Sequence, residues 1–356
     1  MTTSATDAVN PRLAGHGGLR LFVPAASAEL GERVAERSGV PLAALEERDF
    51  EDGEHKIRPL EPVAGCDVFI LHGTWGEPGA SANDKLCRLL FLIAALKDAG
   101  AARVTAVVPY FAFARKDRRT KPLDPVTLRY VATLFEAVGV DTVVAVEIHN
   151  DAAFENAFRC RTVMVPAVLP LVERVVTMVG DEPVSVVSPD LGGAKRAEIF
   201  RAALERRLGR PVGKGFVEKH RSSGVVTGDY FAGDVAGTTA VVVDDLIATG
   251  GTLVRAAKAA RAAGARRVIT AVSHRKVLPG AENGAAAPSD AAPPPPHTGA
   301  AARGIDAVLA TDAVPPSRLP PGPVRDKLEI ASAAPLLADV VRRLHEDAAL
   351  DDLAIL

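Results

Sequence analysis

The chain offers almost nothing that a membrane, a disulfide framework or a polyanion could use. No apolar run reaches the roughly 18 residues that a membrane-spanning helix requires. Cysteine is scarce: Cys66, Cys87 and Cys160 are far apart, show no metal-ligand spacing and cannot all pair, so they are expected to be reduced thiols used for packing. Net charge is nearly absent, because 42 Lys and Arg against 44 Asp and Glu leave only -2 over 356 residues. Composition therefore gives no reason to expect a nucleic-acid or anionic-membrane partner, and any basic site must be local. The first stretch, 1–18, lacks both a basic start and an apolar core, so a flexible tail is expected there and not a signal peptide. Together these absences lead to the expectation of a soluble, cytoplasmic protein.

What the chain does have is apolar content, 48% of its residues, over a length that suggests two domains with separate cores. Short β-branched runs recur at Leu19–Val23, Val68–Leu71, Val104–Val108, Val143–Ile148, Val184–Val187, Ala240–Val243, Val268–Val272 and Ala307–Leu309. Such runs fit strands buried on both faces. Helical patterns lie between them. The clearest is Asn83–Ala99, where Leu86, Leu89, Leu90, Ile93 and Leu96 mark one face and Gly100 supplies the stop. Others fit 125–138, 192–208 and 252–263. Strand followed by helix, repeated, predicts an α/β protein with parallel sheets and sites at the carboxyl ends of the strands.

The strands fall into two similar halves that divide near Val165 and Pro166, which predicts domains over 19–165 and 166–345. The stretch 278–304 is rich in Ala, Pro and Gly and nearly empty of large apolar side chains, so it is expected to be a disordered insertion. The stretch 334–350 returns to helical periodicity.

The sharpest local signal is VVVDDLIATGGTL, Val241–Leu253, in which an apolar strand runs into two acids, a Thr-Gly-Gly-Thr turn and a helix. The turn can present the backbone N–H groups of Thr249, Gly250, Gly251 and Thr252 to a phosphate at a helix N-terminus. Asp244 and Asp245 can accept hydrogen bonds from vicinal sugar hydroxyls. An ordinary strand-to-helix turn is the plainer alternative. Elsewhere, Arg115, Lys116, Asp117, Arg118 and Arg119 put four cations and a carboxylate on one loop, which suits a triphosphate but on spacing alone reads more readily as solvated surface. His149 and Asp190 each end an apolar strand. Lys219 and Arg221 form a Lys-x-Arg pair in a polar stretch.

The Val241–Leu253 segment resembles the phosphoribosyl-diphosphate-binding motif of the type I phosphoribosyltransferases. FEDGE at 50–54, AVVPYFAFARKDRR at 106–119, VEIHN at 146–150, VVSPDLGGAKRAE at 186–198 and EKHR at 218–221 precede it in order. Together these resemble the ribose-phosphate diphosphokinases over roughly 20–275 and again over 305–345. The resemblance implies two phosphoribosyltransferase-like α/β domains that transfer the diphosphate of ATP to ribose 5-phosphate. It implies that Arg115, Lys116 and Asp117 hold ATP, with Phe50, Asp52, Gly53 and Glu54 supplied from a neighbouring subunit, hence a homo-oligomer, at least a dimer and up to a hexamer. It implies Mg²⁺ at His149 and Asp190, a hard cation suited to the carboxylate, and a catalytic pair in Lys219 and Arg221. Ribose 5-phosphate would be held by Asp244, Asp245, Ala248, Thr249, Gly250, Gly251 and Thr252. Three positions depart from the family pattern: Lys116 stands where Gln is commoner, Glu147 where Asp is usual, and Ala248 where many relatives carry Asp. A phosphoribosyltransferase that consumes the product would explain the DD…TGGT loop but leave FEDGE and ARKDRR without a task. A non-catalytic regulatory homologue would be expected to lack His149, Asp190, Lys219 or Arg221, and all four are present.

Overall fold

The computed structural model describes residues 17–222, 225–247, 251–275, 304–316 and 325–353, with side chains placed except at 218–229 and 352. The first half runs β1 (Gly17–Phe22), α1 (Ala28–Ser38), β2 (Leu42–Ala43), β3 (Leu45–Asp49), β4 (His55–Pro59), β5 (Cys66–Leu71), α2 (Ala82–Asp98), β6 (Arg103–Val108), α3 (Thr127–Ala137), β7 (Thr142–Val146), α4 (Asp151–Ala157) and β8 (Arg161–Val165). The second runs α5 (Val168–Val179), β9 (Val184–Ser188), α6 (Ala194–Leu208), β10 (Gly213–Ser222), β11 (Val225–Gly233), β12 (Thr239–Ile247), α7 (Gly251–Ala262), β13 (Arg267–Arg275), β14 (Ala307–Thr311), β15 (Leu328–Ala331) and α8 (Ala334–His345).

The first sheet has the order β2-β1-β5-β6-β7-β8 and pairs in parallel throughout. The second has the order β11-β10-β9-β12-β13-β14-β15, parallel except for the β10/β11 hairpin at its edge. A separate antiparallel hairpin joins β3 to β4. Parallel strands must be joined by crossovers, and the helices between them bury both sheet faces.

Side-chain alternation along the strands shows how the layers stack. In the first sheet Phe69, Leu71, Val107, Val144 and Val146 point into one apolar cluster with α1, α5, α6 and α8. Their neighbours Val68, Ile70, Val104, Val108 and Val143 point the other way, onto α2, α3 and α4. Val186, Val241, Val243, Ile269 and Leu309 of the second sheet enter the same cluster as the first set, whereas Val242, Val268 and Val272 face α7. The expected pair of separate cores is thus replaced by one cluster shared between the sheets, flanked by an outer core on each side. Helices α1 and α8, from opposite ends of the chain, pack together in that middle layer.

Ion pairs tie the same layer together. Asp67, fully buried on β5, accepts from Arg103 Nε at 2.8 Å and Nη2 at 2.6 Å and from His345 Nδ1 at 2.8 Å. Asp312 accepts from Ser332 Oγ at 2.6 Å and the Ala333 amide at 2.7 Å, and pairs with Arg33 of α1 at 3.2 Å.

Local chemistry explains most of the element boundaries. Helix α2 starts at a capping box, with the Asp84 amide donating to Ser81 Oγ at 3.2 Å and the Ser81 amide to Asp84 Oδ2 at 2.6 Å. Strand β1 begins at Gly17, inside the stretch expected to be a tail, because the Gly17 amide donates to the Gly65 carbonyl at 2.9 Å. The run expected to be a strand through Ile148 stops at Val146, since Glu147 takes a left-handed backbone with φ 43°. The insertion expected over 278–304 lies outside the described residues, apart from Gly304.

Candidate active site

The carboxyl ends of β6, β7, β9 and β12 open onto one cleft of about 980 Å³, as expected for open α/β sheets. The first half contributes Arg115, Asp117, Arg118, Glu147 and His149 to its wall; the second contributes Asp190, Lys195, Arg196, Asp244, Asp245, Gly251 and Thr252.

At the centre, carboxylates from both halves compete for few cations. His149 Nδ1 donates to Asp245 Oδ2 at 2.7 Å, across the seam between the halves. Arg196, in the first turn of α6, donates from Nε to Glu147 Oε1 at 3.2 Å and lies 3.9 Å from Asp244 Oδ1 and 3.7 Å from Asp245 Oδ2. Burial and the adjacent Asp245 push the Asp244 carboxyl above the ordinary carboxylate range. Burial acts the same way on Asp245, but the His149 ring and Arg196 outweigh it and hold that carboxyl low. The hydrogen bond to Asp245 in turn raises His149, and burial raises Glu147 against the opposing Arg196. One guanidinium and one imidazole therefore serve three clustered carboxylates.

The loop after β6 divides its cations. Asp124 gathers Lys116 Nζ at 2.6 Å, Thr120 Oγ1 at 2.7 Å and the Thr120 and Lys121 amides, each at 3.0 Å. Lys116, and then Thr120, hold the Asp124 carboxyl well below its usual range. Lys116 thus closes its own loop and is not part of the cleft wall, while Arg115 and Arg118 are. Phe113, just before them, sits at φ 68°, a conformation that costs a non-glycine residue of order 1 kcal/mol or more and redirects the chain toward the cleft. Asp117 Oδ2 accepts from Asn150 Nδ2 at 2.7 Å, which joins this loop to the one that carries His149.

The remaining sequence-derived candidates are distributed as follows. Asp190 lines the cleft and accepts the Gly193 amide at 3.0 Å, while Gly251 and Thr252 open α7 beside it. Ala248, Thr249 and Gly250 lie outside the described residues. Lys219 and Arg221 lie on β10, opposite Asp229 and Val226 of β11; their side chains are outside the described set. Phe50, Asp52, Gly53 and Glu54 form the tip of the β3/β4 hairpin and do not line the cleft of their own chain. The Phe50 amide donates to the Glu54 carbonyl at 2.8 Å, the Glu54 amide to Asp52 Oδ1 at 3.1 Å, and Gly53 has φ 90°, where a side chain would be strained. Phe50 is exposed, with the Arg48 guanidinium 4.9 Å from its ring centre.

Sequence reasoning missed Arg196 as the hub. A signal existed: Lys195 and Arg196 occupy the first turn of α6, where the helix dipole disfavours cations unless acids face them.

Comparison with known proteins places this arrangement in a class. Residues 19–139 match the N-terminal domain of ribose phosphate pyrophosphokinase, and residues 171–284 match the phosphoribosyl transferase domain. The chain is 33% identical to a ribose-phosphate pyrophosphokinase of Gloeobacter violaceus, over 96% of this chain and 95% of that one. It is 34% identical to that of Caldanaerobacter subterraneus subsp. tengcongensis, over 94% and 97%. Among solved structures, it resembles a phosphoribosylpyrophosphate synthetase from Mycobacterium smegmatis with a TM-score of 0.77, 32% identity and coverage of 93% of this chain and 100% of that one. The chain belongs to the ribose-phosphate pyrophosphokinase family, the same family as the diphosphokinases whose motifs it carries.

Proposed function

We propose that this protein transfers the diphosphate of Mg²⁺-ATP to the anomeric hydroxyl of ribose 5-phosphate, giving phosphoribosyl diphosphate and AMP. The observation that carries this reading is the meeting, in one cleft, of the acid pair at the end of β12 with the Arg115 and Arg118 side chains of the opposite half. Asp244 and Asp245 accept hydrogen bonds from the ribose hydroxyls, and the N-terminus of α7 at Gly251 and Thr252 receives the 5-phosphate. Arg115 and Arg118 hold the ATP phosphates in line with the attacking hydroxyl. Lys219 and Arg221 stabilise the charge on the transferring group, since such reactions depend on positioned cations more than on covalent chemistry.

The donor set fits Mg²⁺. Asp190, Asp244 and Asp245 are hard oxygen donors on one cleft wall, and Asp244, raised by burial and by the Asp245 carboxylate beside it, is in a like-charge crowding that a cation would relieve. Among the described residues no three His, Cys, Asp or Glu side chains form a ready cage. That suits a cation which keeps waters and shares its shell with substrate phosphates. Asp190 and the free Nε2 edge of His149 would hold it, and it would neutralise the phosphate charge as transfer proceeds.

The exposed FEDGE hairpin, absent from its own cleft, supports a homo-oligomer in which it completes a neighbour's adenine site. The two halves, 19–165 and 166–345, are read as the two domains. Among the described residues no helix is long and apolar enough to cross a membrane, and a cytoplasmic location fits the substrates.

Product identity tests the reading. Purified protein with ATP, Mg²⁺ and ribose 5-phosphate is expected to release AMP and phosphoribosyl diphosphate in equal amounts. ADP would indicate an ordinary sugar kinase. Turnover only with phosphoribosyl diphosphate and a base would indicate a phosphoribosyltransferase, and binding without turnover a regulatory homologue.

A further inference from the structure

The cleft depends on two strand ends, from opposite halves, being held in fixed register, and one buried side chain outside the cleft wall spans them. His274 lies near the end of β13, level with Leu246 on β12 and so one residue beyond the Asp244/Asp245 pair. Its Nε2 is 2.8 Å from the Val146 carbonyl and 2.9 Å from the Glu147 carbonyl, both at the end of β7. Two carbonyl partners can only accept, so Nε2 carries the proton and donates a shared hydrogen bond. Nδ1 is buried with no hydrogen-bond partner among the described residues, which suits the unprotonated nitrogen of that neutral tautomer. The ring is 6% exposed and packs edge-on against Tyr110, with centroids 5.1 Å apart and planes at 87°. Tyr110 begins the segment that leads to Arg115. His274 therefore touches the β7 end directly, the β6 loop through Tyr110, and sits on the strand beside the acid pair.

The contact falls where the backbone most needs support. Glu147 holds a left-handed φ of 43°, and this turn sends Ile148 into the core and delivers His149 to Asp245. A non-glycine residue persists in that region only where its surroundings over-determine it. Four bonds do so here: the Glu147 amide donates to the Val165 carbonyl at 3.0 Å, its carboxylate accepts from Arg196 and from the Ala167 amide, each at 3.2 Å, and its carbonyl accepts from His274. Of these, the His274, Arg196 and Ala167 contacts come from the second half, and only the His274 bond reaches the backbone carbonyl of the turn.

We infer that His274 is a positioning residue: through the Val146 and Glu147 carbonyls it fixes the turn at Glu147, and so sets His149 against Asp245 in the reactive geometry. The effect on turnover rests on the activity proposed above; the effect on the His149 ring does not. Misplacement of a reacting constellation by about 1 Å can cost a hundredfold in rate.

His274→Phe keeps the ring contact with Tyr110 and removes the donor. His274→Gln returns an N–H near the position of Nε2. In the full-length protein, His274→Phe is expected to lower kcat between about tenfold and a hundredfold with the KM for ribose 5-phosphate changed less than about threefold. His274→Gln is expected to recover most of that loss. Independently of activity, the ¹⁵N resonances of His149, assigned by comparison with His149→Ala, are expected to lose the signature of an Nδ1–H···carboxylate bond in His274→Phe and regain it in His274→Gln. A folded His274→Phe protein with unchanged His149 resonances would overturn the inference, whatever the protein catalyses. So would equal impairment of folded Phe and Gln variants. If His274→Phe does not fold, a folded His274→Gln protein that loses the His149 signature overturns it and one that keeps the signature supports it.

Discussion

Two polar networks cross the seam between the halves, one around buried carboxylates and one at the half-open cleft, and they differ in how charge is matched. In the middle layer, Asp67 has both oxygens taken by the Arg103 fork and His345, and Asp312 has Ser332, the Ala333 amide and Arg33. Each buried carboxylate there has both oxygens met by donors, at least one of them cationic. At the cleft, Glu147, Asp244 and Asp245 share Arg196 and His149, and burial together with the adjacent Asp245 pushes Asp244 up. A matched network holds a fold together; a mismatched one is tolerated where a ligand completes it, which is why strongly perturbed groups cluster at functional sites. The contrast also separates Lys116 from Arg115 on a single loop: the first is matched by Asp124, the second is left to the cleft.

The largest expected effect follows from breaking the mismatched network. Asp245→Asn removes the negative charge that pairs with His149 and that is proposed to bind a ribose hydroxyl, and is expected to lower kcat by about 10³-fold, or about 4 kcal/mol. It gives up the bonds that hold the Asp245 carboxyl low but also relieves the like charge that helps to push Asp244 up, so the two changes offset and the melting temperature should change little. A fall of several degrees, measured beside the rate, would mean that the acid pair holds the fold together as Asp67 does.

The converse experiment targets Asp67. Asp67→Asn leaves Arg103 and His345 without their carboxylate inside the protein, although Arg103 keeps Asp347 at 2.8 Å and the Leu344 carbonyl at 2.6 Å. A loss of about 3 kcal/mol in denaturant unfolding is expected, with kcat per folded molecule unchanged. A rate loss in fully folded protein would show that α8 communicates with the cleft and that the two networks are not separate.

The difference between the networks was only partly legible in the sequence. Valine-rich runs such as Val241–Val243 announce buried strands, and Ser81 with Asp84 announces a helix start, because those signals are local. The acid pair, the cation loop and His149 were visible for the same reason. Helix α5 was not anticipated, since its run VLPLVERVVTMV is rich in β-branched residues and becomes helical through packing against α6 and the second sheet. Nor was the β10/β11 hairpin, whose polar stretch carries little alternation. Arg196 and His274 act through partners 49 to 127 positions away in sequence, and no spacing rule within one segment reports such a meeting.

A third buried group, His72, extends the comparison from charge matching to titration. It follows β5, is fully buried, and shares a hydrogen bond of 3.1 Å between its Nδ1 and Ser27 Oγ. Burial, aided by Lys85 and Arg88, lowers its pKa from 6.5 to about 3. The folded protein therefore keeps His72 neutral while the unfolded chain takes up a proton below pH 6.5. More protons on the unfolded state mean that stability rises with pH, so this contribution is complete above the unfolded value and is lost as pH falls from 6.5 toward 3. Between pH 7 and pH 5 the loss from this one group is about 2 kcal/mol. His72→Asn places an amide near Nδ1, keeps the bond to Ser27 and cannot titrate. Its absolute stability will shift with the altered packing, but the other histidines titrate alike in both proteins and cancel from the difference between the two pH values. Urea unfolding at pH 7 and pH 5 should then show the variant losing about 2 kcal/mol less than the parent. Equal losses would mean that the folded protein protonates His72 as readily as the unfolded chain does, and that acid reaches this interior without opening it.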